Sequence, residues 1–162
     1  MESSVPSRAA AGRLDGGTAP ARLRSKASWL INKTGAYAHR LLVEALAPVD
    51  GHGHHFAVLA ALDEFGPASQ IAIGQRCGID RSDTHAIVND LVDGGYAERE
   101  PDPQDRRRNI ITITGAGRGR LAELDRIVER VQDDLLGTLT PEERRQFVRL
   151  LARVLDGQGD RG

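Results

Sequence analysis

Three consecutive arginines, Arg106 to Arg108, are the residues of this chain whose type and spacing most directly suggest chemistry. They follow a polar turn, Asp102-Pro103-Gln104-Asp105, and no acidic residue occurs between Arg106 and Arg120. A guanidinium stays charged and donates several hydrogen bonds, so phosphate is a natural partner. Arginines at a protruding turn also suit the narrow, negative minor groove of DNA. We expect Asp105 to hold Arg107 in place through a bidentate ion pair.

The residues around the arginines predict a β-hairpin. A short strand at 96–99 leads into the turn, and a return strand at 109–114 alternates Ile111 and Ile113 on one face with Ile110 and Thr112 on the other. A turn that only aids solubility is the alternative. Three adjacent arginines without acidic partners repel one another, which makes that alternative weaker.

Two short helices precede the hairpin. The first is predicted over residues 70–77, with Ser69 as its N-cap and Gly78 closing it, and the second runs to Asp93 after a cap at Asp80 or Ser82. Two short helices followed by a basic hairpin are typical of a winged helix-turn-helix, a fold that binds duplex DNA.

The second of these helices has a small, polar outer face. Its apolar face is formed by Thr84, Ile87, Val88 and Leu91. We expect the opposite side to enter a major groove, and its DNA-contact candidates are Arg81, Ser82, Asp83, His85, Ala86 and Asn89. The helix N-terminus itself also favours a phosphate. An ordinary solvated amphipathic helix is the alternative, and residues 76–99 carry a net charge of −2 from three basic and five acidic residues.

Long apolar helices flank this lobe. The pattern predicts a mostly α-helical domain at 25–157, with helices at 25–47, 54–65 and 117–136 and a last helix capped by Thr140, Pro141 and Glu143. A DNA-binding lobe is expected at about 54–116, between terminal helices at 25–47 and 117–156. Residues 1–24 are predicted to be a disordered arm and residues 158–162 a disordered tail.

The composition and motifs of the chain argue against several classes of protein. The chain has 162 residues, 40% of them apolar, a net charge of −1 and a single cysteine, so no internal disulfide framework is possible and any nucleic-acid contact must come from a local patch. The pattern shows no membrane span and no signal-peptide core, which predicts a soluble cytoplasmic protein. Catalytic motifs are absent from the sequence, so neither an enzyme nor a cofactor is expected.

These motifs resemble the MarR family of transcriptional regulators. The resemblance covers roughly Trp29 to Leu155, and the matching residues are Ile79-Asp80-Arg81-Ser82, Leu91, Gly94-Gly95-Tyr96, Arg99, Asp102-Pro103, Asp105-Arg106-Arg107, Ile113-Thr114 and Gly117. It implies an intertwined homodimer, formed by the first and the last two helices, that binds a pseudo-palindromic operator. By position, Arg107 resembles the arginine that enters the minor groove, and Asp105 its orienting partner.

The chain also departs from the family pattern. Members often carry basic residues at the positions of Ala86 and Asp90, and here neither is basic. We therefore expect the hairpin and Arg81 to supply an unusually large share of the electrostatic attraction to DNA.

The sequence offers candidate residues for an effector site and for a metal site. Many MarR-like proteins release DNA when an aromatic acid binds, and by analogy Trp29, Asn32, His39 and His55 are candidate ligand-binding residues. The alternative makes Trp29 an anchor of the dimer core and His55 a helix-start residue. His52 and His54 beside His55 suggest zinc, but no zinc-binding spacing supports it, and no metal is predicted. Cys77 is expected to be a buried, inert thiol.

The resulting hypothesis is a sequence-specific, double-stranded DNA-binding transcriptional regulator. It is expected to act as a homodimeric repressor on a pseudo-palindromic operator, with release by a small aromatic ligand. The alternative is a winged-helix protein-interaction module that does not bind DNA. A small enzyme is the other rival, and no sequence feature supports it.

Overall fold

The computed structural model describes residues 19–105 and 108–159, and its backbone divides into two units, Met1–Arg40 and Leu41–Gly162. The described part of the first unit is helical. Helix α1 spans Ala21–Arg24, and α2 spans Ala27–Leu46 and continues into the second unit. The turn α1 lies inside the segment predicted to be a disordered arm, and residues 1–18 of that arm lie outside the described residues.

The second unit alternates helices with short strands. After α2, a 3₁₀ turn at Ala47–Val49 leads to Asp50, whose φ of 50° ends it in the left-handed region. The remaining elements are α3 at Gly53–Phe65, β1 at Ala68–Ser69, α4 at Gln70–Cys77, α5 at Arg81–Asp93, β2 at Ala97–Pro101, β3 at Asn109–Ile113, α6 at Gly115–Leu135 and α7 at Pro141–Gly159.

The three strands form an antiparallel sheet in the order β1-β3-β2. In the hairpin, Arg99 lies opposite Ile111, and Ala97 lies opposite Ile113. The sequence predicts this hairpin but not β1, which adds Ala68 opposite Ile111 and Ser69 opposite Ile110. Two residues are too few to show the alternation that reveals a strand, and their partners lie far along the chain.

One apolar core joins α3, α4, α5, α6 and the sheet. The predicted inward face of α5 is confirmed, since Thr84, Ile87, Val88 and Leu91 are all buried. Ile111 and Ile113 face the same core from β3, as their alternation predicts. The fully buried side chains of this core include Leu46, Val58, Leu59, Leu62, Ile73, Ile111 and Leu124. The core therefore fixes the side of α5 that remains exposed.

Helix α6 begins earlier than the sequence predicts. Thr114, expected to end the return strand, is the N-cap: its Oγ1 accepts from the backbone N–H of Gly117 at 2.9 Å and donates to the Gly95 carbonyl at 2.8 Å. The helix starts at Gly115 rather than near Gly117 because the threonine hydroxyl satisfies one of its free N–H groups.

The last helix, α7, has the capping box that the sequence predicts. Glu143 accepts from the backbone N–H of Thr140 at 2.8 Å, and Thr140 Oγ1 accepts from the Glu143 N–H at 3.3 Å. The Thr140 N–H bond, followed by the bond that the Thr140 hydroxyl donates to the same carboxylate at 2.9 Å, lowers the pKa of Glu143. Apolar side chains left exposed along this helix are Val148, Leu150, Leu151, Val154 and Leu155.

Among the helices described for residues 19–105 and 108–159, none is both long and apolar enough to span a bilayer.

Candidate nucleic-acid interface

Helices α4 and α5 cross closely because small residues meet at the crossing. A Cβ on Gly74 would lie 2.8 Å from Thr84 Oγ1, so only glycine allows this approach. Thr84 is buried, and its hydroxyl donates to the Asp80 carbonyl at 2.6 Å. Ser69 caps α4 by accepting from the Ala72 N–H at 3.3 Å, which confirms the predicted cap. The crossing holds α5 at a fixed angle with its polar side outward.

The N-terminus of α5 is capped by a carboxylate. Asp80 Oδ1 accepts from the Asp83 N–H at 2.9 Å and from the Ser82 hydroxyl at 2.8 Å. The Asp83 N–H bond is the main reason that the pKa of Asp80 is lowered. The sequence left the cap open between Asp80 and Ser82, and Asp80 takes the role. Because its carboxylate already occupies an N–H group there, this helix end is a poorer phosphate site than its dipole alone suggests.

The predicted outer face of α5 is exposed. Arg81, Ser82, Asp83, His85 and Ala86 are all exposed, which agrees with the helical wheel. Asn89 is half-buried, because it lies against the sheet side of the helix.

A chain of polar side chains crosses this face. Arg99 Nη2 donates to Asn89 Oδ1 at 2.5 Å, and Asn89 Nδ2 lies 3.1 Å from His85 Nε2. On the other side of the ring, Gln70 Nε2 lies 3.4 Å from His85 Nδ1. This series of side-chain contacts runs from β2 across α5 to the first residue of α4. Arg108 and Asn109 line the same open groove as Gln70 and His85.

Sequence reasoning did not assign a site role to Gln70 or Arg99. For Arg99 a signal exists, since the alternation of the strand puts it on the same face as Ala97 and opposite Glu98 and Glu100, and an arginine on the inward face of a strand needs a partner. For Gln70 no comparable signal exists, because its contact comes only from the packing of α4 on α5.

Backbone hydrogen bonds close the base of the hairpin turn. Asp102 and Arg108 are joined by a backbone hydrogen bond at 2.8 Å, and Asp105 accepts another from the Arg108 N–H at 2.8 Å. Asp105 Oδ2 also lies 3.5 Å from Arg108 Nε. Arg106 and Arg107 lie outside the described residues, so the predicted pair of Asp105 with Arg107 stays a prediction.

The four predicted ligand-binding residues are divided between the two units. On α2 in the first unit, Trp29 is half-buried with Lys33 Nζ 6.0 Å from its ring centre, while Asn32 and His39 are exposed. In the second unit the side chain of His55 is 12% exposed. Ligand binding by these four residues therefore stays a prediction.

His55 lies in the first turn of α3 and faces Asp90 of α5. Its Nε2 is buried and has no hydrogen-bond partner among the described residues, and Asp90 Oδ2 lies 3.6 Å from it. Burial, followed by the neighbouring His52 ring at 4.9 Å, lowers the pKa of His55, and Asp90 opposes this shift. Within the described chain, no group of three or more histidine, cysteine, aspartate or glutamate side chains could hold a metal ion.

Cys77 is half-buried rather than fully buried. Its thiol donates to the Ala57 carbonyl at 3.5 Å, and burial raises its pKa. A raised pKa keeps the group as a thiol, in line with the predicted low reactivity.

The chain is similar in sequence to known transcriptional regulators. The profile of the MarR family matches residues 50–108, which run from the start of α3 into the hairpin. The HTH-type transcriptional repressor NicR of Pseudomonas putida is 28% identical over 107 residues, which cover 66% of this chain and 68% of NicR.

Two solved structures share the fold over most of both chains. The PcaV transcriptional regulator from Streptomyces coelicolor, in complex with its natural ligand, is 29% identical with a TM-score of 0.72, over 85% of this chain and 97% of PcaV. A mutant of MarR from E. coli complexed with operator DNA is 26% identical with a TM-score of 0.69, over 79% and 92% of the two chains. With its helix-turn-helix and its three-stranded sheet, the chain has the winged-helix fold of these transcriptional regulators, and the MarR family matches its residues 50–108.

Proposed function

We propose that the protein is a homodimeric transcriptional repressor that binds a pseudo-palindromic operator. The observation that carries this proposal is the exposed polar face of α5 beside a hairpin whose turn holds three arginines. In two copies related by a two-fold axis, the α5 helices would enter successive major grooves about one helical turn apart.

The distribution of charge determines how the two elements share the work. Asp80 and Asp83 lie at the start of α5, whereas the hairpin residues 106–113 carry three arginines and no acidic residue. The hairpin and Arg81 therefore supply most of the attraction to phosphate, and the face around His85 supplies discrimination between bases.

The exposed side of α7 supports the homodimer. Five large apolar side chains in a 19-residue helix form a surface that monomeric proteins rarely leave in water. A second copy of the chain, packing terminal helices against terminal helices, would cover it.

Release by a small aromatic molecule is the finer part of the proposal. Its support is the relative PcaV, whose structure contains its natural ligand. The candidate residues Trp29, Asn32, His39 and His55 stay predictions of the sequence.

Selection from a random duplex library, followed by binding titrations at fixed salt, tests the proposal. We expect a two-fold symmetric motif and an affinity that falls steeply with added salt. Replacing Arg107 with alanine should cost far more affinity than replacing His85, and should lower the salt slope by about one per subunit. Arg118→Ala is the control, because it removes one positive charge from α6, where Arg118 pairs with Asp63.

A protein-interaction module is the competing function. It predicts no selected motif and no binding to duplex DNA even at low salt. That outcome would refute the repressor.

A further inference from the structure

The contacts around His85 contain a conflict of hydrogen-bond donors. The side-chain amide nitrogens of Asn89 and Gln70 face its two ring nitrogens, at 3.1 Å and 3.4 Å. A neutral imidazole has one acceptor nitrogen and one N–H, so it can accept from only one of the two amides. One amide must turn and present its oxygen instead.

Arg99 decides which amide turns. Its Nη2 donates to Asn89 Oδ1 at 2.5 Å, so Asn89 keeps its oxygen toward β2 and its NH₂ group toward His85. A guanidinium has no acceptor and cannot exchange roles with the amide. No residue in the described part of the chain restrains Gln70 in this way, so its longer contact is the one to reverse.

We propose that Arg99, acting through Asn89, holds the neutral ring of His85 in the tautomer that accepts at Nε2 and donates at Nδ1. Arg99 is a positioning residue, and His85 is the group that reads a base. The tautomer of a histidine is set by the hydrogen bond that its other nitrogen makes. Here the Asn89 NH₂ group occupies Nε2, so the proton resides on Nδ1.

This polarity determines what His85 can recognise. Among the described residues, Gln70 is the one partner of the donor at Nδ1, and the ring lies on the exposed side of α5. In the major groove it would bind an acceptor: guanine N7 or O6, adenine N7, or thymine O4. Cytosine presents only its N4 donor there and would be rejected. This step rests on the proposed function, because it requires that α5 enter a major groove.

Nitrogen-15 NMR of the full chain without DNA tests the tautomer by itself. At mildly alkaline pH, where imidazoles are neutral, the long-range ring spectrum should show His85 protonated at Nδ1. Arg99→Met removes the donor to Asn89 and should return the ring to a mixture of tautomers. Asn89→Ala should do the same at a helix position that tolerates alanine. Arg118→Met, with an equal loss of charge on α6, should leave the His85 signals unchanged.

The base preference of the protein tests whether the Nδ1–H donor of His85 recognises an acceptor in the major groove. In the random duplex selection, wild type should exclude cytosine at one position of each half-site by roughly fivefold or more. Arg99→Met, Asn89→Ala and His85→Ala should each lose that exclusion at the same position, whereas Arg118→Met keeps it. The Arg99→Met Asn89→Ala double variant should lose no more than either single variant, because both act through one chain.

Failure of the positioning role of Arg99 and failure of the proposed DNA-binding function give different results. If the ring spectrum shows Nε2–H in wild type, or if Arg99→Met leaves it unchanged, the positioning role is refuted whatever the DNA result. A wild-type protein that has the Nδ1–H form but binds no duplex refutes the proposed function. If Arg99→Met weakens all duplexes equally and keeps the base profile, Arg99 contacts phosphate and the inference is wrong.

Discussion

Gly117 allows the hairpin to join α6, and replacing it with alanine should destabilise the protein. A Cβ at this position would lie 2.0 Å from the Tyr96 carbonyl oxygen and 2.8 Å from Ile113 Cγ1. Carbon–oxygen contacts are normally at least ~3.3 Å, so the backbone would have to separate by about 1 Å. The Tyr96 carbonyl also accepts from the Thr114 N–H at 3.1 Å, and that hydrogen bond would be strained or lost.

The size of the effect follows from opposing terms. Overpacking costs about 1–3 kcal/mol, and a weakened hydrogen bond adds about 1 kcal/mol. Alanine recovers up to about 1 kcal/mol as the better helix former. We therefore expect Gly117→Ala to lower the free energy of unfolding by about 1–3 kcal/mol, a fall in Tm of roughly 2–12 °C for a chain of this length.

A second glycine of α6 provides the matched control. Gly119 is exposed, and no other atom lies within 4 Å of a Cβ built there. Gly119→Ala should stabilise the protein by about 0.5–1 kcal/mol. Both variants are compared by urea denaturation and thermal unfolding at one protein concentration. If Gly117→Ala is as stable as Gly119→Ala, the close approach to Tyr96 is not a real constraint and this reasoning is wrong.

Further changes test the remaining features. Burial lowers the pKa of His55 below 6.5, so on acidification the unfolded chain protonates this imidazole before the folded chain does. The free energy of unfolding should therefore decline as the pH falls through 6.5. In urea denaturation at several pH values, His55→Gln should flatten this decline, whereas His54→Gln at an exposed position should not. Leu124→Ala should cost about 2–5 kcal/mol by urea denaturation, because the side chain is fully buried; a cost below about 1 kcal/mol would contradict that. Ser69→Ala should cost about 1 kcal/mol through loss of the α4 cap, measured the same way, and no change would exclude the cap. Leu151→Glu on the exposed face of α7 should convert a dimer to monomers in sedimentation velocity, and an intact dimer would place the interface elsewhere.

Local signals in the sequence were sufficient for most of the lobe. The caps at Ser69, Asp80 and Thr140 act on N–H groups three residues away, so adjacent residue types reveal them. The buried face of α5 follows from its 3.6-residue period. The start of α6 was missed because Thr114 continues the alternation of β3, and the competing role of its hydroxyl as a cap depends on the turn that follows.

Distant contacts account for what the sequence could not reveal. Strand β1 exists only because β3 lies beside it, and neither residue of the pair Ala68–Ser69 favours a strand on its own. The same holds at the site: Arg99 reaches Asn89 only because β2 packs beside α5. Sequence periodicity identified the outward face of α5, but not the order in which its polar groups bind one another.

Ser69 belongs to two elements at once, because it pairs with Ile110 of the hairpin and caps α4. The base of the hairpin and the start of α4 are therefore both held by hydrogen bonds of Ser69. A tilt of the stem would pull α4 with it, and α4 carries α5 through their tight crossing. The lobe should therefore move as one rigid body. A displacement that begins far from DNA would rotate the hairpin and α5 together and would not bend the hairpin at its base.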